Sequence, residues 1–138
     1  MTDLFGEKIL LGSLVAFTKG NQLDLEIGIV IRMDKYNINY PIKCTKHVYK
    51  YEPKRNGKRR FGKKIKTQRT VIGSKEGIRS SWISINEDTE LQGRFVVIKN
   101  PLFHLNNPAI IAQLEIMDMA KDKGLLPEDY KLGVPFGK

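Results

Sequence analysis

The chain has 138 residues, 41% of them hydrophobic, and its 24 Lys and Arg against 15 Asp and Glu give a net charge of +9. That is enough apolar material for one domain with a core, and it excludes a chain disordered throughout. A lone cysteine, Cys44, excludes an internal disulfide and a multi-cysteine zinc site, and no apolar run reaches the roughly 18 residues of a transmembrane helix.

In chain order, residues 1–11 lead into the fold through Ile9, Leu10 and Leu11. The opening stretch carries acids and no long apolar run, so it does not read as a signal peptide, and a soluble, cytoplasmic protein is expected. Residues 14–18 read as a short strand after Gly12-Ser13, with a turn at Lys19-Gly20-Asn21. Residues 23–33 alternate strictly: Leu23, Leu25, Ile27, Ile29, Ile31 and Met33 on one face, Asp24, Glu26, Gly28, Val30 and Arg32 on the other. Eleven residues is long for a strand, and Gly28 is the natural place for a bend. A short strand over 36–40 is expected to stop at Pro41, with a β-prone stretch over 42–51.

Residues 73–77, Gly-Ser-Lys-Glu-Gly, read as a loop. Residues 78–85 alternate weakly and read as a strand, with Trp82 expected in the core, although an exposed Trp82 would be able to stack on a base. Asn86-Glu87-Asp88 is a turn, and 94–99 is a strand built on Phe95-Val96-Val97-Ile98, stopped by Pro101.

One helix pattern follows. Asn107 suits the N-cap and Pro108 the first helical position. Ile110, Ile111, Leu114 and Met117 form an apolar stripe widened by Ala120. Lys121 and Lys123 suit the last turn, and Gly124 the C′ position. Ile116 and Met119 lie outside that stripe, where a protein partner or a second copy of the chain would find apolar surface, although simple burial is the plainer expectation. Residues 125–138 read as an extended tail. The expected fold is therefore mainly β (α+β): a small barrel or curled antiparallel sheet over 1–105, a helix over 106–124 packed on it, and the tail.

Two stretches, Gly12-Ser13-Leu14-Val15-Ala16-Phe17 and Glu26-Ile27-Gly28-Ile29-Val30-Ile31-Arg32, resemble the opening of KOW and SH3-like barrel modules. In those modules a strand reading G-x-x-V leads through a loop to a second strand with Gly two places before Val, as Gly28 stands before Val30. The resemblance covers about residues 11–35. It implies a small barrel that binds RNA, DNA or the transcription and translation machinery. Here the first loop offers only Lys19, near Asp24 and Glu26, so nucleic-acid contacts would fall to a later extension. The short, basic, strand-rich chain also looks like a bacteriophage accessory protein.

That later extension is residues 46–69. They hold eleven of the 24 bases and one acid, Glu52, for a net charge of +10, and the remainder of the chain sums to −1. Asn56-Gly57 is a strong signal for a two-residue hairpin turn, with arms over 46–55 and 58–67. In that register Val48 faces Ile65 near the base, where the arm joins the core, and Lys50 faces Lys63. Like charges opposed across a ladder repel, and Pro53 removes a donor, so the outer arm is expected to order when phosphates neutralise it.

The expected nucleic-acid-binding residues are Lys50, Lys54, Arg55, Lys58, Arg59, Arg60, Lys63, Lys64, Lys66 and Arg69. Arg55, Arg59 and Arg60 would enter a duplex groove. Alternatively, Tyr49, Tyr51 and Phe61 would stack on unpaired bases, although Tyr49 and Tyr51 share a face that suits packing on the core.

Little points to catalysis. His47 and His104 have no partner at metal spacing, Cys44 reads as a buried strand residue, and Glu87, Asp88 and Glu90 read as a solvated turn. The expectation is nucleic-acid binding without catalysis, metal or cofactor. Duplex DNA with little sequence specificity is favoured over RNA, consistent with a nucleoid location and with a role in transcription or nucleoid organisation. An RNA-binding factor, or a module docking an acidic protein, is the alternative.

Overall fold

The computed structural model describes residues 1–19, 24–52 and 68–137. Contacts divide the chain into two compact units, Met1–Lys43 with Ile78–Lys138, and Cys44–Gly77. The strands are β1 (Leu14–Thr18), β2 (Leu25–Ile29), β3 (Arg32–Met33), β4 (Asn37–Glu52), β5 (Gln68–Ser84) and β6 (Phe95–Val97). A 3-10 turn, Pro101–His104, and one helix, α1 (Pro108–Asp122), follow. The architecture is mainly β with one helix, in two antiparallel three-stranded sheets ordered β2-β1-β6 and β3-β4-β5. The described strands do not close into a barrel.

The larger unit explains why. β1 is the centre of the first sheet, pairing Leu14 with Ile29 and Val15 with Gly28 on one side, and Phe17 with Phe95 on the other. The alternating stretch after residue 23 does not run as one strand. Val30 exchanges backbone bonds with Gly12 and Ser13 in the first sheet, whereas the Ile31 amide donates to Asn39 in the second. The chain therefore changes sheets between Val30 and Ile31, not at Gly28. Gly28 serves packing instead. A Cβ there would stand 3.1 Å from the Tyr40 ring, so its bare backbone makes room for that ring.

Pro41 does not end a strand either; it lies buried within β4. Asn37 and Asn39 turn their carbonyls towards the β3 side, accepting from Asp34 and Ile31. Pro41 is next in that series, and its missing N–H points where the partner chain has already left for the first sheet. A proline is tolerated where no ladder bond is due. α1 ties the two strands at this divergence: Gln113 Nε2 donates to the Ile27 carbonyl of β2 at 2.8 Å, and Glu115 pairs with Lys43 of β4 at 2.7 Å.

Two apolar clusters hold this unit. Ile9, Val15, Phe17, Val30, Ile38, Tyr40, Ile83 and Phe95 fill the space between the two sheets. Leu14, Ile29, Ile78, Ile110, Ala120, Leu126, Tyr130 and Leu132 join the first sheet to the helix and the residues after it.

The helix begins and ends where its caps predict. The Asn107 side chain accepts from the Ala109 amide, and Gly124 stands at φ +80°. Its buried face differs in part from the predicted stripe: Ile110, Gln113 and Ala120 are buried, Ile111 is exposed, and Ile116 and Met119 pack against the second cluster. Residues 125–137 form no strand or helix, yet they turn back into the core. The Tyr130 hydroxyl donates to the Gly12 carbonyl and accepts from the Gly133 amide, and burial pushes its pKa up to about 12.

Asp3 is a buried polar post. Its Oδ1 accepts from the amides of Phe5 and Glu7 at 2.9 Å, and its Oδ2 from Val97 at 2.8 Å, so it fastens the first residues to β6. Burial pushes its carboxyl up, but the Val97, Glu7 and Phe5 amides, with Lys99 nearby, outweigh burial and hold it below the usual carboxylate range.

β5 is the largest departure from the sequence reading. Residues 73–77 are strand, not loop, and they fuse the expected short segments into one 17-residue element. Neither Gly73 nor Gly77 adopts a positive φ. In the smaller unit a Cβ on Gly77 would meet the Lys46 stem at 3.4 Å and Cys44 Sγ at 3.6 Å, so this glycine packs beside β4. Among the described residues, no helix is long and apolar enough to cross a membrane.

Candidate nucleic-acid interface

The smaller unit, Cys44–Gly77, contains the basic segment. β4 enters it and β5 leaves it, and the two are antiparallel neighbours in the second sheet; the expected second arm, 58–67, lies outside the described residues. Lys50 lies on β4 and Arg69 on β5. Lys54, Arg55, Lys58, Arg59, Arg60, Lys63, Lys64 and Lys66 lie outside the described residues. So do the Asn56-Gly57 turn, Phe61, the pairings of Val48 with Ile65 and Lys50 with Lys63, and the packing of the Tyr49 and Tyr51 side chains.

At the described root of the segment, Thr45, Lys46, His47 and Val48 are all exposed. Val48 is 45% exposed. Cys44 is half-buried on β4. Counted over the whole unit, Cys44–Gly77 holds twelve Lys and Arg and two acids, a net of +10, which leaves −1 for the other unit. The unit thus contains the whole of the basic segment.

The other candidate groups lie in the larger unit. His104 ends the 3-10 turn and is exposed. Glu87, Asp88 and Glu90 are exposed on a turn that Gln92 holds: its Nε2 donates to the carbonyls of Asn86 and Thr89, and its Oε1 accepts from the Asn86 amide. The turn is built by a neutral amide, and its carboxylates face solvent.

Trp82 overturns its expectation. Ile83 is the buried member of this part of β5, at 4% exposure, and Trp82 stands on the opposite face at 60%. The signal was in the sequence: Ser80 and Ser84, the nearest neighbours of Trp82 on its own face of the strand, are both polar.

Compared with known protein families, with curated proteins and with solved structures, this chain matches none.

Proposed function

We propose that this chain is a nucleic-acid-binding protein without catalytic chemistry, which grips duplex DNA through residues 46–69 with little sequence specificity. The observation that carries this reading is the coincidence of charge and unit: Cys44–Gly77 bears +10, and everything else bears −1. Such a concentration of like charge gains most from a polyanion, because neutralised phosphates release their condensed counterions. The strand plan supports a kinship with SH3-like or KOW-like modules: a stretch that pairs in one three-stranded sheet up to Val30 and in the other from Ile31 suits a small barrel opened on one side. A grip of this kind suits nucleoid organisation or modulation of transcription.

The test is a binding titration against duplex DNA, single strands and RNA. With six or more phosphate contacts, affinity for duplex DNA falls about 10³-fold or more between 50 and 200 mM salt. Replacing Arg59 and Arg60 with Ala weakens binding and lowers the salt slope. A flat salt response defeats the reading, and a clear preference for RNA transfers it to the translation or transcription machinery.

A further inference from the structure

We infer that the open face of the second sheet holds an unpaired nucleotide, with Trp82 as the stacking platform and Arg32 as the phosphate contact. This deepens the nucleic-acid reading and rests on it, but it uses a different set of residues, all within the larger unit.

The placement follows from the ladder. The Ile85 amide donates to the Tyr36 carbonyl, which fixes the antiparallel register of β5 on β4, and three steps along each strand bring Trp82 opposite Asn39. Asn39 in turn pairs with Arg32 on β3. Arg32, Asn39 and Trp82 thus form one row across three strands, with Ser80 and Ser84 on either side of the indole along β5. Two strand spacings, about 10 Å, separate Arg32 from Trp82 at the backbone, a span that an arginine side chain and one nucleotide fill together.

The rest of this face is occupied. Towards its other end α1 covers it, through Lys43 on Glu115 and through Lys123 Nζ donating to the Ile78 carbonyl at 2.7 Å. The Trp82 end is open: Arg32, Ser80, Trp82 and Ser84 are all exposed.

The chemistry of the row selects the occupant. A docking surface for a protein partner is a contiguous apolar patch. Here a single indole is framed by a guanidinium, an amide and two hydroxyls. That combination fits a base, which stacks on an aromatic ring whatever its identity, and the phosphate attached to it. Asp34 is near enough to feel the Arg32 charge, but its Oδ1 is taken by the amides of Tyr36 and Asn37, which hold its pKa down.

Trp82 is the chain's only tryptophan, so its fluorescence reports this site alone. The full chain is titrated with a single-stranded DNA oligonucleotide, a single-stranded RNA oligonucleotide and a blunt-ended DNA duplex, and binding is followed separately by anisotropy of a label on the nucleic acid. The expected result is strong quenching of Trp82 by the single strands, with the tighter of the two naming the source of the nucleotide, and little quenching by the blunt-ended duplex. Trp82→Ala loses about tenfold or more in single-strand affinity. Trp82→Phe restores part of that loss, and Arg32→Ala lowers the salt slope by about one.

Single strands that bind by anisotropy while Trp82 emission stays unchanged overturn the site and leave the basic-segment reading standing. An unchanged affinity in Trp82→Ala does the same. No binding to any of the three nucleic acids overturns both.

Discussion

Residues 44–77 and the remainder of the chain solve opposite problems. Among the residues whose burial is described, which exclude 49–72, every buried hydrophobic one lies outside 44–77, from Ile9 to Leu132. Nearly all of the net charge lies inside it. The larger unit is nearly neutral and is held by two apolar clusters with a few placed polar posts. The smaller unit concentrates cations, with twelve Lys and Arg against two acids. Charge and core thus fall on different residues, so binding and stability should respond to different substitutions.

The strongest way to break this comparison is with salt. Binding through the basic segment falls about 10³-fold between 50 and 200 mM, worth about 4 kcal/mol, while the unfolding midpoint of the free protein in urea moves little. If both move together, the two regions are not separable in this way.

Next come two neighbours on β5. Ile83→Ala removes a buried side chain from the cluster between the sheets and costs about 3 kcal/mol in urea unfolding. Trp82→Ala, one residue away and exposed, should change stability by less than about 0.5 kcal/mol and act only on binding.

Asp3→Ala strands three amides and costs about 3 kcal/mol as well. The pH dependence has a definite sign. The folded carboxyl sits below its unfolded value of about 3.9, so its contribution is complete above that pH and is lost as pH falls through the folded value. Wild-type stability should therefore decline on acidification more steeply than that of Asp3→Asn, as measured by thermal melts between about pH 5 and pH 2.

The smallest of the core effects is at Gly12, which stands at φ +92° with the Phe136 ring 2.7 Å from a would-be Cβ. Gly12→Ala should cost about 2 kcal/mol in urea unfolding and leave nucleic-acid affinity untouched.

Sequence signals are legible where local chemistry decides. β1, the Asn107 cap, the Gly124 stop and the mainly β class all follow from propensity and capping. The misreadings share a different cause: a neighbour far away in sequence overrides the local pattern. Pro41 looks like a terminator until the partner strand is seen to leave beside it. Gly73-Ser74-Lys75-Glu76-Gly77 looks like a loop until β4 is present to pair with it. Alternation marks Trp82 as core because periodicity assigns faces in pairs and cannot say which one is wet, although the serines around it hold that information. Asp3 and Gln92 draw no notice, since a lone polar residue shows its use only when distant amides converge on it. For the candidate site, charge is fully legible and geometry is not: of the ten basic residues that the sequence singles out, Lys50 and Arg69 fall on described strands.

The bond from the Tyr130 hydroxyl to the Gly12 carbonyl closes a span of 118 residues, and the Phe136 amide reaches the Leu11 carbonyl in the same region. A core that depends on contacts so remote in sequence has high contact order and folds slowly. Synthesis adds a sequence of events. The basic segment is complete before Tyr130 has been made, so the nascent chain presents its cations while the larger unit still lacks its last residues. Any ribosomal or messenger RNA nearby meets this charge first, and the emergence of residue 136 sets the earliest moment at which a finished fold can compete with that encounter.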